Sequence, residues 1–142
     1  IIRRLERNRS FYKTGGITAT GGEPMLQIEF LTELFAKAKE RGIHTCLDTS
    51  GVMFPGEKEG TQTSEEKKSA GQKVTQEQID KLMQVTDLVM LDIKHIDPEE
   101  HKKLTAQPND MILKFAKYVD DKGIDLWIRH VVVPTITGYH IR

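Results

Sequence analysis

The 142-residue chain predicts an α/β fold in which short strands alternate with helices. Three observations carry that expectation. Four β-rich or apolar runs recur along the sequence, stretches with apolar residues at helical spacing separate them, and capping or turn residues mark the boundaries. Strands joined by helices pair in parallel through right-handed crossovers, giving either an α/β sheet or part of a barrel. Four strands are too few to close one.

The first strand is expected in "ITAT", which runs into "GGEP". Gly21 and Gly22 open backbone angles closed to other residues, and Pro24 holds Glu23 extended. Leu31, Leu34, Phe35 and Ala38 then fall on one helical face, and Gly42 is a stop signal, so a helix is expected over 28–41. "IHTCLDTSG" reads as the second strand. Composition changes over 55–73, where Ala70 is nearly the only apolar side chain. Such a segment buries too little surface to offset its ordering entropy and is expected to be a mobile surface loop.

Thr75 and Gln78 have the spacing of a capping box, and Ile79, Leu82 and Met83 form an apolar stripe behind them, so a second helix begins there. "DLVMLDIK" is a nearly continuous apolar run of the kind found in strands covered on both faces. Asp97 and Pro98 are a cap and a first helical residue for a short third helix. A fourth helix is expected over 110–122, ending at Gly123, before the strand "DLWIRHVVV" and Pro134.

Bulk properties narrow the function classes. The chain has 21 basic and 21 acidic side chains, so no net field points to nucleic acid, and no apolar run approaches the length of a membrane span. A single cysteine, Cys46, excludes an internal disulfide framework and favours a cytoplasmic setting. The composition suits one domain over 1–142. The opening "IIRRLERNRS" lacks an initiator Met and a signal-peptide core, so the chain is expected to start within a longer protein.

Ligands of such folds gather at the carboxyl ends of the strands. There the sequence places TGGE, then Asp48 and Thr49, then Asp92 and Lys94, with Arg129 in the last strand. Leu88, Met90, Asp92 and Lys94 share one strand face. Neither a dinucleotide fingerprint nor a Walker loop is present, and the five histidines lack the pairing of a zinc protease motif. Cys46 alone is expected to be a buried small hydrophobe. Lys94 could form a Schiff base if burial favoured its neutral amine, but Asp92 on the same face favours a plain ion pair. Asp48 and Asp92 at neighbouring strand ends repel unless a cation lies between them, which favours a metal or ammonium site over two isolated turn residues.

"TGGEPMLQIEFLTELFAKAKERGIHTCLDTSG", "TDLVMLDIKHIDPEEHKKLT", "ILKFAKYV" and "WIRHVVVP", in that order, resemble the radical S-adenosylmethionine superfamily, in its branch of glycyl-radical-enzyme activases. The resemblance implies a partial (β/α)6 barrel, of which this chain covers about four strands. It also implies S-adenosylmethionine and a four-iron four-sulfur cluster as cofactors, the cluster held by a Cys-x-x-x-Cys-x-x-Cys loop. No such motif occurs in these 142 residues, so the chain alone is expected to be inactive. The implied reaction is reductive cleavage of S-adenosylmethionine and removal of a hydrogen atom from a glycine of the partner enzyme.

Matched residue by residue, the resemblance assigns Gly21, Gly22 and Glu23 to the methionyl amino group, and Asp48 and Lys94 to the border of the methionine moiety. It assigns the backbone near Val131 to adenine and Arg129 to the substrate peptide. A monovalent cation, potassium or sodium, would lie among Asp48, Thr49, the Met90 backbone and Asp92. The implied partners are a glycyl-radical enzyme, pyruvate formate-lyase before glycerol dehydratase, and an electron donor such as flavodoxin or ferredoxin. A cluster-less homologue that keeps the barrel to bind a partner protein is the alternative outside enzymes. The sequence departs from the family in a glycine run shortened to Gly15 and Gly16, in Thr20, and in "PTITG" after the last strand.

Overall fold

The computed structural model describes residues 1–11, 15–56 and 74–132. Most of the loop expected over 55–73 and the "PTITG" turn lie outside the described residues. Within them the order is α1 (Ile2–Arg7), β1 (Gly16–Ala19), α2 (Ile28–Lys39), β2 (His44–Thr49), α3 (Gln76–Met83), β3 (Leu88–Asp92), α4 (Pro98–Thr105), α5 (Asp110–Asp121) and β4 (Asp125–Arg129), with 3-10 turns at Arg9–Phe11 after α1 and at Pro24–Gln27 leading into α2. The helix α1 was not anticipated: it has no side-chain cap and buries none of its residues, so it carries no amphipathic signal. It is fastened from outside, by Glu6 accepting from Arg41 Nε at 2.9 Å.

All four strands are parallel and lie in sequential order, β1-β2-β3-β4. There is no reversal of strand order, so the sheet is an arc of a barrel and not a doubly wound sheet. Crossovers of one hand that always step in one direction put the crossover helices α2, α3 and α5 on one side. That side is the core. Leu47, Val89 and Leu91 of the sheet pack there against Phe35 and Leu31 of α2, Ile79 and Leu82 of α3, and Phe115 and Val119 of α5.

Local signals explain the helices. Thr75 accepts from the Gln78 backbone N–H at 3.2 Å while the Gln78 side chain accepts from the Thr75 N–H at 2.9 Å, so the expected capping box is complete. Asp97 accepts from the N–H groups of Glu99 and Glu100, with Pro98 opening α4. That helix ends on Ala106 at φ 59°, a left-handed position that glycine fills more cheaply. The buried His101 bonds through Nδ1 to the Gln107 carbonyl at 2.9 Å and so pins this ending.

Two expectations change. The run "DLVMLDIK" is not covered on both faces: Val89 and Leu91 are buried, whereas Leu88, Met90 and Asp92 are only partly so. Trp127, paired with Met90, is 62% exposed on that same open face. The last strand stops at Arg129, short of the three valines that continue its apolar pattern.

Gly51 follows β2 at φ 73°, and a Cβ there would lie 2.9 Å from Leu91 Cδ1 and 3.2 Å from Phe115 Cδ1. Backbone strain and core overpacking both act at this position. Gly51→Ala is expected to lower stability by about 2–4 kcal/mol, read from urea denaturation. A loss under about 0.5 kcal/mol, the range of an ordinary surface substitution, would contradict the packing described.

Candidate functional site

The site is built where β1 gives way to the TGGE turn and where β2, β3 and β4 end. Gly21 and Gly22 both have positive φ, 89° and 52°, with nothing within 4 Å of where a Cβ would stand. The turn is therefore open as well as left-handed. Side chains other than glycine would be excluded by backbone strain and not by crowding.

Glu23 anchors this turn. Its Oε1 accepts from the Thr49 hydroxyl at 2.7 Å and the Met25 N–H at 3.2 Å, and its Oε2 from the Ser50 hydroxyl at 2.6 Å and the Ser50 N–H at 3.1 Å. A carboxylate has about four lone-pair positions, so these four donors fill it. Glu23 thus joins the first strand's exit to the second's, and through Met25 it caps the 3-10 turn.

The neighbouring strand ends carry a charged network. Arg129 grips Asp48 in bidentate fashion, Nη2 to Oδ1 at 2.6 Å and Nη1 to Oδ2 at 3.1 Å, and reaches Asp92 Oδ1 through Nε at 2.9 Å. Lys94 pairs with the other Asp92 oxygen at 3.0 Å. Thr20 donates to Asp48 Oδ2 at 2.9 Å and so ties the glycine turn to the network. A cation does lie between the two carboxylates, and it is a guanidinium of the chain itself.

The register explains this convergence. Asp48 pairs with Met90, which pairs with Trp127, and Asp92 pairs with Arg129, two residues further toward the carboxyl ends. Alternation points all these side chains to the open face. Thr49 points the other way, is buried, and spends its hydroxyl on Glu23. Val131 lies two residues beyond β4 and is exposed. Cys46 is buried as expected, and burial pushes its thiol above the usual value. His130 holds the Ile93 carbonyl through Nδ1 at 2.7 Å, with its ring edge-on to His95 at 6.4 Å.

Burial would raise the Asp92 carboxyl, but the hydrogen bonds from Arg129 and Lys94 outweigh it and hold the group below the usual aspartate value. Asp87, at the opposite end of β3, behaves alike. There burial is outweighed by Lys39 and by the Thr45 N–H, 2.9 Å away.

Sequence reasoning brought Gly21, Gly22, Glu23, Asp48, Asp92, Lys94 and Arg129 to one rim, and the structure places them there. It missed Thr20 and Ser50 as donors and Arg129 as the bridging cation. The adjacency of Ser50 to Asp48 and Thr49 in "DTSG" was the available signal for the first kind. Nothing local marks the bridge, because Arg129 is 81 residues from Asp48.

Residues 1–141 match the Radical SAM superfamily. The chain belongs to that superfamily. This radical SAM chain is 47% identical over 138 residues to the pyruvate formate-lyase-activating enzyme of Streptococcus mutans, covering 96% of the chain and 47% of the relative. It is 45% identical over 123 residues to that of Listeria monocytogenes, covering 87% and 44%. It therefore spans less than half the length of these curated relatives. A solved domain of a pyruvate-formate lyase-activating enzyme from Bacteroides vulgatus superposes with a TM-score of 0.63 at 26% identity, covering 86% of this chain and 63% of that one.

Two outcomes follow from the geometry. Glu23→Gln would turn an amide N–H2 toward donors of Met25, Thr49 or Ser50 and should destabilise the fold by about 1–3 kcal/mol in urea, with the slope unchanged. Unaltered stability would show that the four contacts are not formed. The depressed Asp87 and Asp92 carboxyls contribute stability that is complete above the ordinary aspartate pKa of about 3.9 and is lost as pH falls through their lower folded values. Denaturation midpoints that stay level on acidification through that window would contradict these pairings.

Proposed function

We propose that the chain is the central part of an activase that binds S-adenosylmethionine at this rim and, in the complete protein, generates a glycyl radical on pyruvate formate-lyase. The observation that carries the reading is the Thr20–Asp48 hydrogen bond, which joins an open glycine turn to a carboxylate network. One rim then offers backbone polar groups and negative charge to an ammonium, and Lys94 to a carboxylate. That is the donor set an α-amino acid moiety requires.

Each part has a role in this reading. Gly21 and Gly22 let the main chain approach the methionyl amino group, and Glu23 fixes the turn and adds negative charge beside it. Asp48 and Lys94 border the methionine, the backbone at Val131 approaches adenine, and Arg129 faces the substrate peptide. The cofactor supplies, after reductive cleavage, the radical chemistry that acts on a glycine of the partner.

A cluster does not fit this chain by itself, because such a site needs several thiolates and Cys46 is the only cysteine, buried within β2. Its ligands would come from residues outside these 142. Electrons would arrive from flavodoxin or ferredoxin, and the setting would be cytoplasmic. Among the described residues, no helix is long and apolar enough to cross a membrane. The names of the relatives favour pyruvate formate-lyase over glycerol dehydratase as the partner. Schiff-base chemistry is disfavoured, since Lys94 is ion-paired and its side chain is 44% exposed.

The test is calorimetry of S-adenosylmethionine on the chain joined to a cluster-binding segment. Asp48→Asn should weaken binding by about 1.5–3 kcal/mol, as expected for loss of a charge-assisted hydrogen bond. Gly22→Ala should also weaken it, through the strained turn. Unchanged affinity in both variants, or trapping of a carbonyl substrate on Lys94 by borohydride, would overturn the assignment.

A further inference from the structure

We propose that Asn109 is a positioning residue for Lys94, whose side-chain amide fixes the chain just beyond β3 and so sets where the ammonium stands at the rim. The inference rests on the functional reading above only in giving that ammonium a carboxylate to meet. The clamp itself is built wholly from this chain.

Lys94 lies beyond the paired residues of β3, which end at Asp92 opposite Arg129. Ile93 still donates its N–H to the Arg129 carbonyl at 3.0 Å, but from there side chains take over from the ladder. His130 Nδ1 holds the Ile93 carbonyl immediately before Lys94. Immediately after it, Asn109 Nδ2 donates to the carbonyls of His95 and Ile96, at 3.1 and 2.8 Å. Lys94 is thus bracketed.

Asparagine is favoured at a helix N-cap because its side-chain oxygen accepts from the first turn. Asn109 holds that position before α5 but makes no such bond. The two groups it meets are both carbonyls, which only the amide nitrogen can serve, and its two hydrogens match them in number. The residue is buried, and its own carbonyl accepts from the Leu113 N–H at 2.9 Å. The clamp is therefore carried by α5, whose Ile112, Phe115 and Val119 lie in the core. The buried His101 steadies the approach by bonding the Gln107 carbonyl, two residues earlier. A half-exposed lysine side chain has many rotamers of its own, so a backbone fixed on both sides keeps its head on Asp92 while leaving it open to a ligand.

In the complete protein, calorimetry of S-adenosylmethionine on variants of the two residues forms a double-mutant cycle. Lys94→Ala should weaken binding about tenfold, the loss of one charge-assisted hydrogen bond. Asn109→Ser keeps a good helix cap but has no amide, and should weaken binding about threefold or more. In the double variant the serine should add nothing, because Asn109 acts through Lys94. Losses that multiply would mark a general effect on the fold and overturn the proposal. NMR relaxation of Lys94 Cε in this chain gives a readout independent of the cofactor, and the side chain should be more mobile in Asn109→Ser. Unchanged Lys94 order would overturn the proposal whatever the affinities. Unchanged affinity in Lys94→Ala, with Lys94 order lost in Asn109→Ser, would instead overturn the functional reading and leave the clamp standing. Asn109→Asp, isosteric and also a good cap, takes the place of the serine variant if that one does not fold.

Discussion

Among the described residues the crossover helices α2, α3 and α5 pack on one side of a four-stranded parallel sheet, and the rest of the structure depends on that constraint. Helices of one hand, added always in one direction, bury one sheet face and leave the other open. Strand alternation then sorts the sequence with no further instruction. Leu47, Val89 and Leu91 enter the core, while Asp48, Met90, Asp92, Trp127 and Arg129 are delivered to the open face. A doubly wound sheet would have covered both.

The open face would be a liability in a protein with nothing to bind, since parallel sheets ordinarily have both faces covered. Here its carboxyl-terminal edge is occupied by charges that neutralise one another. Asp48 and Asp92 would repel across adjacent strands, and Arg129 and Lys94 compensate them. Glu23 is compensated in another manner, by uncharged donors from Met25, Thr49 and Ser50. Neutral donors bring no counter-charge to a carboxylate, whereas a guanidinium that bridges two of them brings a positive charge between them.

Stabilising features lie apart from this rim. Thr45 and Asp87 close the opposite end of β2 and β3, and Phe54, Phe115 and Tyr118 cluster with ring centroids 5.2–6.3 Å apart beneath the loop after β2. Gly51 links the two regions, for it follows Thr49 and Ser50 at a place where a Cβ would run into Leu91 and Phe115. Rim and core meet at that residue, so the geometry of Glu23's donors depends on how tightly α5 packs.

The sequence by itself determined the element order, the capping of α3 and α4, the core stripes, the burial of Cys46 and the set of residues at the strand ends. These are local matters: periodicity, caps and glycine breaks act within a few residues and need no tertiary partner. The glycine turn and its neighbouring carboxylates were legible for the same reason, while the family was read from the resemblance of four ordered blocks. The helix α1 was not legible, because it buries no stripe of its own. The tertiary structure decided which face of β3 stays open, that Thr49 turns away from Asp48, and that the cation between Asp48 and Asp92 is Arg129. Each depends on register and on the direction of the crossovers, which bring residues 26 to 81 positions apart within hydrogen-bonding distance. No pattern shorter than those separations encodes them.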